Sequence, residues 1–360
     1  MDFTPTEEQT AAQGLAAQIF GDLATHERLA ATGTGTDTEL WKELCASGLA
    51  AAVEEIGLLG LVLLLEEQGR ATAQVPFAVT CVYGLLAVAE HGTDEQRERL
   101  LPTLRDGTAV ATGAFPARDG LRADGEGRLS GSVPYVPWLR DAALVLVADA
   151  DRELWIVRTA DPGVAVTPVE TTAPWSAARL VLDRAPGERL GGPEGRTGTG
   201  TGTNSATGTA AYEAVLAASR TAFAGLQAGV CAGSLARAVA HTTTREQFGR
   251  PLSTNQGVLL RAADAHMDTE AIRVTAYEAA WRHDKGLPYA AQALTAAWWA
   301  SEAGKRVVHA GQHLHGGTGA DLDHPVHRHF LWGRQLDAYL GCGSEVLEEL
   351  GQLLVKEGSQ

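Results

Sequence analysis

Apolar and polar positions follow a helical period at both ends of the chain and a shorter, alternating one in the middle. In residues 1–108, Thr6-Glu7-Glu8-Gln9 sets a cap followed by acids, and Asp37 to Leu49 closes near Gly48. Leu58 to Leu65 is a dense apolar run inside a helix ending at Glu66-Glu67-Gln68-Gly69-Arg70. Phe77 to His91 and Asp94 to Leu104, the latter capped by Thr93, complete a helical bundle. From Gly107 the runs shorten. Ala109 to Thr112, Gly127 to Gly131, Ala143 to Ala148, Glu153 to Arg158, Val164 to Val169 and Ala178 to Leu182 alternate or are Val-rich, between Gly, Pro and Asp. That pattern predicts a small antiparallel β domain, a barrel or a sandwich.

Residues 189–210 contain Gly191-Gly192-Pro193 and then a Gly/Thr repeat, which cannot bury a core and is expected to be a flexible connector. No Gly-Lys-Ser/Thr follows, so a phosphate-binding loop is not expected there. Helical period returns at Tyr212, with Leu216, Phe223, Leu226 and Val230, and continues after a break with Val258, Leu259, Ala262, Ala263, Met267 and Ile272. Gly225, Gly229 and Gly233 stand four apart, so one helix face can accept another backbone closely. The break, Arg245-Glu246-Gln247-Phe248-Gly249-Arg250-Pro251-Leu252, is an apolar and basic elbow suited to presenting a cation to an anion. Further helices are expected over Ala290 to His315 and Pro325 to Lys356. The fold class is therefore α+β: an N-terminal helical bundle (1–108), a central antiparallel β domain (109–188), the connector (189–210) and a C-terminal four-helix bundle (211–360).

Composition adds limits. With 45% hydrophobic and 6% aromatic residues the chain reads as globular, and its 360 residues exceed one small core. A net charge of -15 argues against nucleic acid and anionic membrane surfaces. No uninterrupted apolar span is read as bilayer-crossing, and Met1-Asp2-Phe3-Thr4-Pro5 lacks signal-peptide character, so a cytoplasmic location is expected. Cys45, Cys81, Cys231 and Cys342 lie far apart, as buried thiols in a reducing compartment would.

Several motifs together carry a family likeness. They are Thr6-Glu7-Glu8-Gln9, Leu65 to Arg70, Leu100-Leu101-Pro102 with Gly107, Arg245-x-Gln247-Phe248-Gly249 with Gln256, Gln312-x-x-His315-Gly316-Gly317-x-Gly319, and Pro325-Val326-x-Arg328. Over nearly its whole length the chain resembles the acyl-CoA dehydrogenases, flavoproteins that desaturate acyl thioesters between the α and β carbons. The resemblance implies FAD bound across a subunit interface, with acyl-CoA or an acyl-carrier thioester as substrate. It places Arg245 on the pyrophosphate, Phe248 and Gln256 on the adenosine side, and Gln312 with Gly316 on the rest of the dinucleotide. Gln247, Gly317 and Gly319 belong to the same two motifs.

Three departures qualify the likeness. The β-domain stretch that the family uses to hydrogen-bond flavin reads Ala111 to Asp119, with Pro116 and Asp119 retained. The neighbouring strand reads Tyr135-Val136-Pro137, and proline offers neither hydroxyl nor N–H. The catalytic glutamate is missing: one family position falls on Leu340 or Gly341, the other on Ser219, ahead of Arg220. A Pro-Glu-x-x-Gly-Gly loop is also missing between Ala50 and Leu58. The half-site offered to a neighbour's flavin is kept and the chain's own is eroded. The expectation is an oligomer, a heteromer with a second acyl-CoA dehydrogenase-like chain that carries the base, with FAD shared or lost. The catalytic residues of this chain itself are unassigned, and whether it is an enzyme alone is open.

Two alternatives remain. One is a stand-alone enzyme of this fold performing cyclisation or dehydration in a biosynthetic pathway, with Asp337, Glu345, His315 or the His324/His327/His329 group as acid–base candidates. The other is a non-catalytic partner. Metal binding is not expected, since His309-x-x-x-His313 lacks the glutamate of zinc proteases. Asp264, three residues after Arg261, is expected to form a local ion pair, and Glu213 to face a helix start.

Overall fold

The computed structural model describes residues 2–116, 120–192 and 208–358. Most of the Gly/Thr connector and Asp119 lie outside the described residues. Helices precede the strands and helices follow them, and the chain forms two compact units.

One unit contains residues 32–57 and 74–219. Its strands form two four-stranded sheets, β1 (Ala111–Ala114), β4 (Leu144–Ala148), β5 (Leu154–Arg158), β8 (Glu188–Arg189) and β2 (Leu121–Ala123), β3 (Arg128–Val136), β7 (Ala178–Pro186), β6 (Val164–Pro168), in those orders. All pairs are antiparallel except β1 with β4, which run parallel because the chain leaves through β2 and β3 before returning. Leu129, Val136, Val145, Val157, Leu180 and Leu182 make the core of this region. The run from Phe77 to His91 is helical but widens into a π-helix over Thr80–Leu86, all of it buried. Gly84 on that segment lets the helix meet β1, since a Cβ there would sit 2.9 Å from the Cβ of Ala111.

The other unit contains residues 1–31, 58–73 and 220–360. Its organising contact is the glycine face of α8 (Gly208–Thr244). Gly225, Gly229 and Gly233 meet the backbone of Val62, Glu66 and Arg70 on α4 (Leu49–Ala71), three glycines at four-residue spacing against three residues at the same spacing. Gly69 returns the contact against the backbone at Leu226 and Val230. Glu66, 3% exposed in its side chain, lies within this crossing. It accepts hydrogen bonds from Arg70, from Arg273 on α9 (Gln256–Asp284) and from the Tyr277 hydroxyl at 2.9 Å. α4 bends at Gly57, where φ is 72°, and the amides of Leu58 and Leu59 freed by the bend donate to Asp284 at 2.8 and 3.0 Å.

Two expectations change. The last helical run is two helices, α11 (Pro325–Tyr339) and α12 (Gly343–Gly358), because Gly341 takes φ 109° and the Glu345 carboxylate caps the Cys342 amide. The α8 segment Thr209–Thr244 is, by length and composition, apolar enough to span a bilayer, with 72% of its apolar window buried inside the protein. Alanine, valine, leucine and phenylalanine raise its hydropathy, and most of them are buried against the rest of the protein, as in the core helix of a globular chain.

Candidate functional site

The elbow between α8 and α9 is a tight hairpin, β9 (Glu246–Gln247) paired with β10 (Arg250–Pro251). Both central residues have positive φ, 53° at Phe248 and 74° at Gly249, as a type I′ turn requires. Glycine adopts that conformation freely; a phenylalanine is strained by about 1–2 kcal/mol. The strain is spent holding Phe248 wholly in solvent, at 101% relative exposure. Arg245, Gln247 and Gln256 are exposed as well, and among the described residues their side chains have no partner within the chain. Gln256 opens α9, whose N-terminus is capped by Asn255 through the Gly257 amide at 2.9 Å.

The second motif ends α10 (Ala290–His315). Gly316 turns the chain at φ 65° and ψ −139°, which only glycine adopts without penalty. Gln312 donates its amide to the Gly319 carbonyl at 3.1 Å, and a Cβ at Gly319 would collide with the Gln312 backbone. Gly317 has open space around it. His315 is buried and hydrogen-bonded through Nδ1 to the Gly311 carbonyl at 2.7 Å. It stacks on His241 at 4.7 Å and meets the edge of His324 at 4.9 Å. Burial, and then the neighbouring His315, hold both His241 and His324 below the ordinary imidazole range.

Arg237, His241 and Arg245 follow at four-residue spacing on α8. Arg237 lies near enough to His324 and His329 to lower both, and among the described residues it forms no ion pair. Asp321 is the one acid among the described residues that acts on His324. Arginines on one helix face beside glycine turns are suited to phosphate oxygens, so Arg237 and Arg245 fit the anionic part of a dinucleotide. Arg237, His241 and His324 were not singled out as ligand contacts in the sequence. The spacing from Arg237 to Arg245 was the available signal for the first two; His324 is brought in by the fold.

The base positions hold no acid. Ser219 is buried and donates to the Val215 carbonyl at 2.6 Å. Leu340 caps α11, and Gly341 forms the turn. Beside them Arg220 is 6% exposed and pairs with Glu349 on α12 at 2.8 and 2.7 Å. The cavity here measures about 20 Å³, room for roughly one water. The other acid–base candidates are engaged locally: Asp337 with Ser301 and Arg334, and Glu345 as a cap. His329 is buried against the Arg70 carbonyl, and among the described residues no three His, Cys, Asp or Glu side chains converge on a metal position. No Arg261–Asp264 pair forms among the described residues, while Glu213 pairs with Arg152 instead of serving a helix start.

In the β-containing unit, the segment expected to lose its flavin contacts packs on neighbouring elements. Tyr83, Phe115 and Tyr212 form a stacked column at 5.1 and 5.6 Å, continued by Arg152 at 5.5 Å. The Thr112 hydroxyl donates to the Pro137 carbonyl at 2.6 Å. All three rings are buried.

Helices, then two four-stranded sheets, then helices carry an exposed, arginine-bearing hairpin and a glycine-rich turn. Residues 6–108 match the acyl-CoA dehydrogenase N-terminal domain and residues 206–350 the acyl-CoA dehydrogenase C-terminal domain. The chain is 34% identical to acyl-CoA dehydrogenase FadE27 of Mycobacterium tuberculosis, covering 99% of each. The Tcur3481-Tcur3483 steroid ACAD, solved as a variant, has a TM-score of 0.88 at 41% identity over 98% of this chain and 99% of that one. The ChsE4-ChsE5 complex from Mycobacterium tuberculosis has a TM-score of 0.88 at 30% identity, covering 99% of each chain. This chain belongs to the acyl-CoA dehydrogenase family.

Proposed function

We propose that this chain is the subunit of a heteromeric acyl-CoA dehydrogenase that completes a partner's FAD site and leaves proton abstraction to that partner. The carrying observation is a contrast inside one unit. The hairpin side chains Arg245, Gln247 and Phe248 are exposed, while the family's base position falls on Leu340 or Gly341, beside a small cavity whose charged lining residue is Arg220.

Desaturation needs a carboxylate for the α proton, and FAD, when bound, accepts the β hydrogen as hydride. In this proposal Arg245 pairs with pyrophosphate oxygens, assisted by Arg237 and His241. Phe248 and Gln256 lie along the adenosine, while Gln312, Gly316, Gly317 and Gly319 shape the remaining wall. The partner docks where α9 exposes Leu260, Met267 and Val274 at seven-residue spacing, beside exposed Val239 and Leu259. The paired names of the two solved relatives support a heteromer. The steroid name of one favours a ring-bearing acyl thioester as substrate.

The test is expression of this chain alone and beside a family member that carries the glutamate, followed by visible absorbance and a desaturation assay. A yellow complex and activity are expected only from the pair. Full flavin loading and desaturation by this chain alone would overturn the proposal.

A further inference from the structure

Arg220 is a buried guanidinium whose counter-charge arrives from the surface. Its side chain is 6% exposed and that of Glu349 is 42% exposed. Glu349 reaches in from α12 and occupies both terminal nitrogens, while Nε is buried without a partner. Arg220 is also the one charged group lining the adjoining cavity, whose walls include Phe223, Ala297, Leu336, Tyr339 and Leu340.

The two partners differ in what they can do alone. A guanidinium enclosed by apolar side chains must keep an anion, because leaving it uncompensated is strongly unfavourable. Glu349 can turn into water and regain its hydration without any backbone movement. The site thus demands a carboxylate while holding its present one only by a flexible, half-solvated side chain. Beside the carboxylate position lies an apolar wall, which Glu349 does not use.

We propose that Arg220 anchors a carboxylate-binding site, that Glu349 is its resident occupant, and that an apolar monocarboxylate exchanges with it. The ligand carboxylate takes the two terminal nitrogens of Arg220, and its hydrocarbon body packs on Phe223, Leu336 and Tyr339. Exchange is required rather than addition, because Glu349 already occupies both terminal nitrogens of Arg220, and the cavity of about 20 Å³ admits a hydrocarbon body only as α12 moves out. The turn at Gly341, φ 109°, lies between α11 and α12 and accommodates a shift of α12. This inference shares the Arg220 cavity with the proposed function, but its test involves neither FAD nor a partner chain, so the two fail separately.

The test is in two parts on the full chain. Glu349→Ala deletes Cγ, Cδ and both carboxylate oxygens, the atoms that acetate puts back. Its melting temperature is expected to fall below that of the parent and to recover with sodium acetate or propionate, but not with sodium chloride at equal ionic strength. In calorimetric titration with octanoate, Glu349→Gln removes the competitor and is expected to bind about tenfold more tightly than the parent. Arg220→Met/Glu349→Met is expected to lose that binding. Acetate and chloride acting alike on Glu349→Ala, or no gain in octanoate affinity for Glu349→Gln, would overturn the proposal.

Discussion

His329 is the clearest single-residue case of local chemistry set by packing. Its Nε2–H donates to the Arg70 carbonyl at 3.0 Å, beside Gly233, and burial pushes its pKa down from 6.5 to about 4. The folded protein therefore keeps this imidazole neutral while the unfolded chain protonates it. Stability is full above pH 6.5 and falls as the pH drops toward 4, by up to about 1.4 kcal/mol per pH unit from this group alone. Urea unfolding between pH 7 and 4.5 should show that slope, reduced by one proton in His329→Asn. Phe248 makes the opposite point, a residue held against its own preference. Phe248→Asn, better tolerated at positive φ, is expected to stabilise the chain by about 1 kcal/mol. The same change should lower flavin retention in a reconstituted complex. A melt together with a flavin count checks both.

At the scale of elements, the crossing of α8 and α4 has no room to spare. Gly229→Ala would drive a Cβ into the Glu66 backbone, and its expected cost is about 3 kcal/mol by denaturant titration. Gly14→Ala is the control: its Cβ meets open space in the helix Glu7–Leu23, so stability should hold or rise by up to about 1 kcal/mol. Glu66→Gln tests the ion-pair group inside the same crossing. It removes the buried partner of Arg273, which keeps the more exposed Glu270, at about 1–2 kcal/mol. The glycine spacing was legible in the sequence because a helix places every fourth residue on one face. What those glycines face was not, because Glu66 is 163 positions away from Gly229 in the chain.

At the scale of the whole molecule, the family and the order of helices, strands and helices were readable from short motifs and from the change of period near Gly107. The absence of an acid at Ser219, Leu340 and Gly341 was readable in the same way. If the interface half-site serves a partner's flavin, Arg245→Lys should lower flavin content of the reconstituted complex about tenfold, since a lysine cannot pair in two places at once. Folding of the isolated chain should be unaffected, because the Arg245 side chain is exposed and lysine keeps its charge. Flavin absorbance per complex and a thermal melt of this chain separate the two effects.

By itself the sequence determined what repeats locally: helix period, strand alternation, caps, the elbow with its paired cations, and the non-acidic residues at Ser219, Leu340 and Gly341. Only the tertiary structure decided what distant residues do to one another. It brought Glu349 onto Arg220, His324 and His315 beside His241, and Tyr83, Phe115 and Tyr212 into one column. The physical reason is common to all three. Periodicity records which face of an element is buried, whereas the partner of a buried charge or ring is fixed by how separate elements cross.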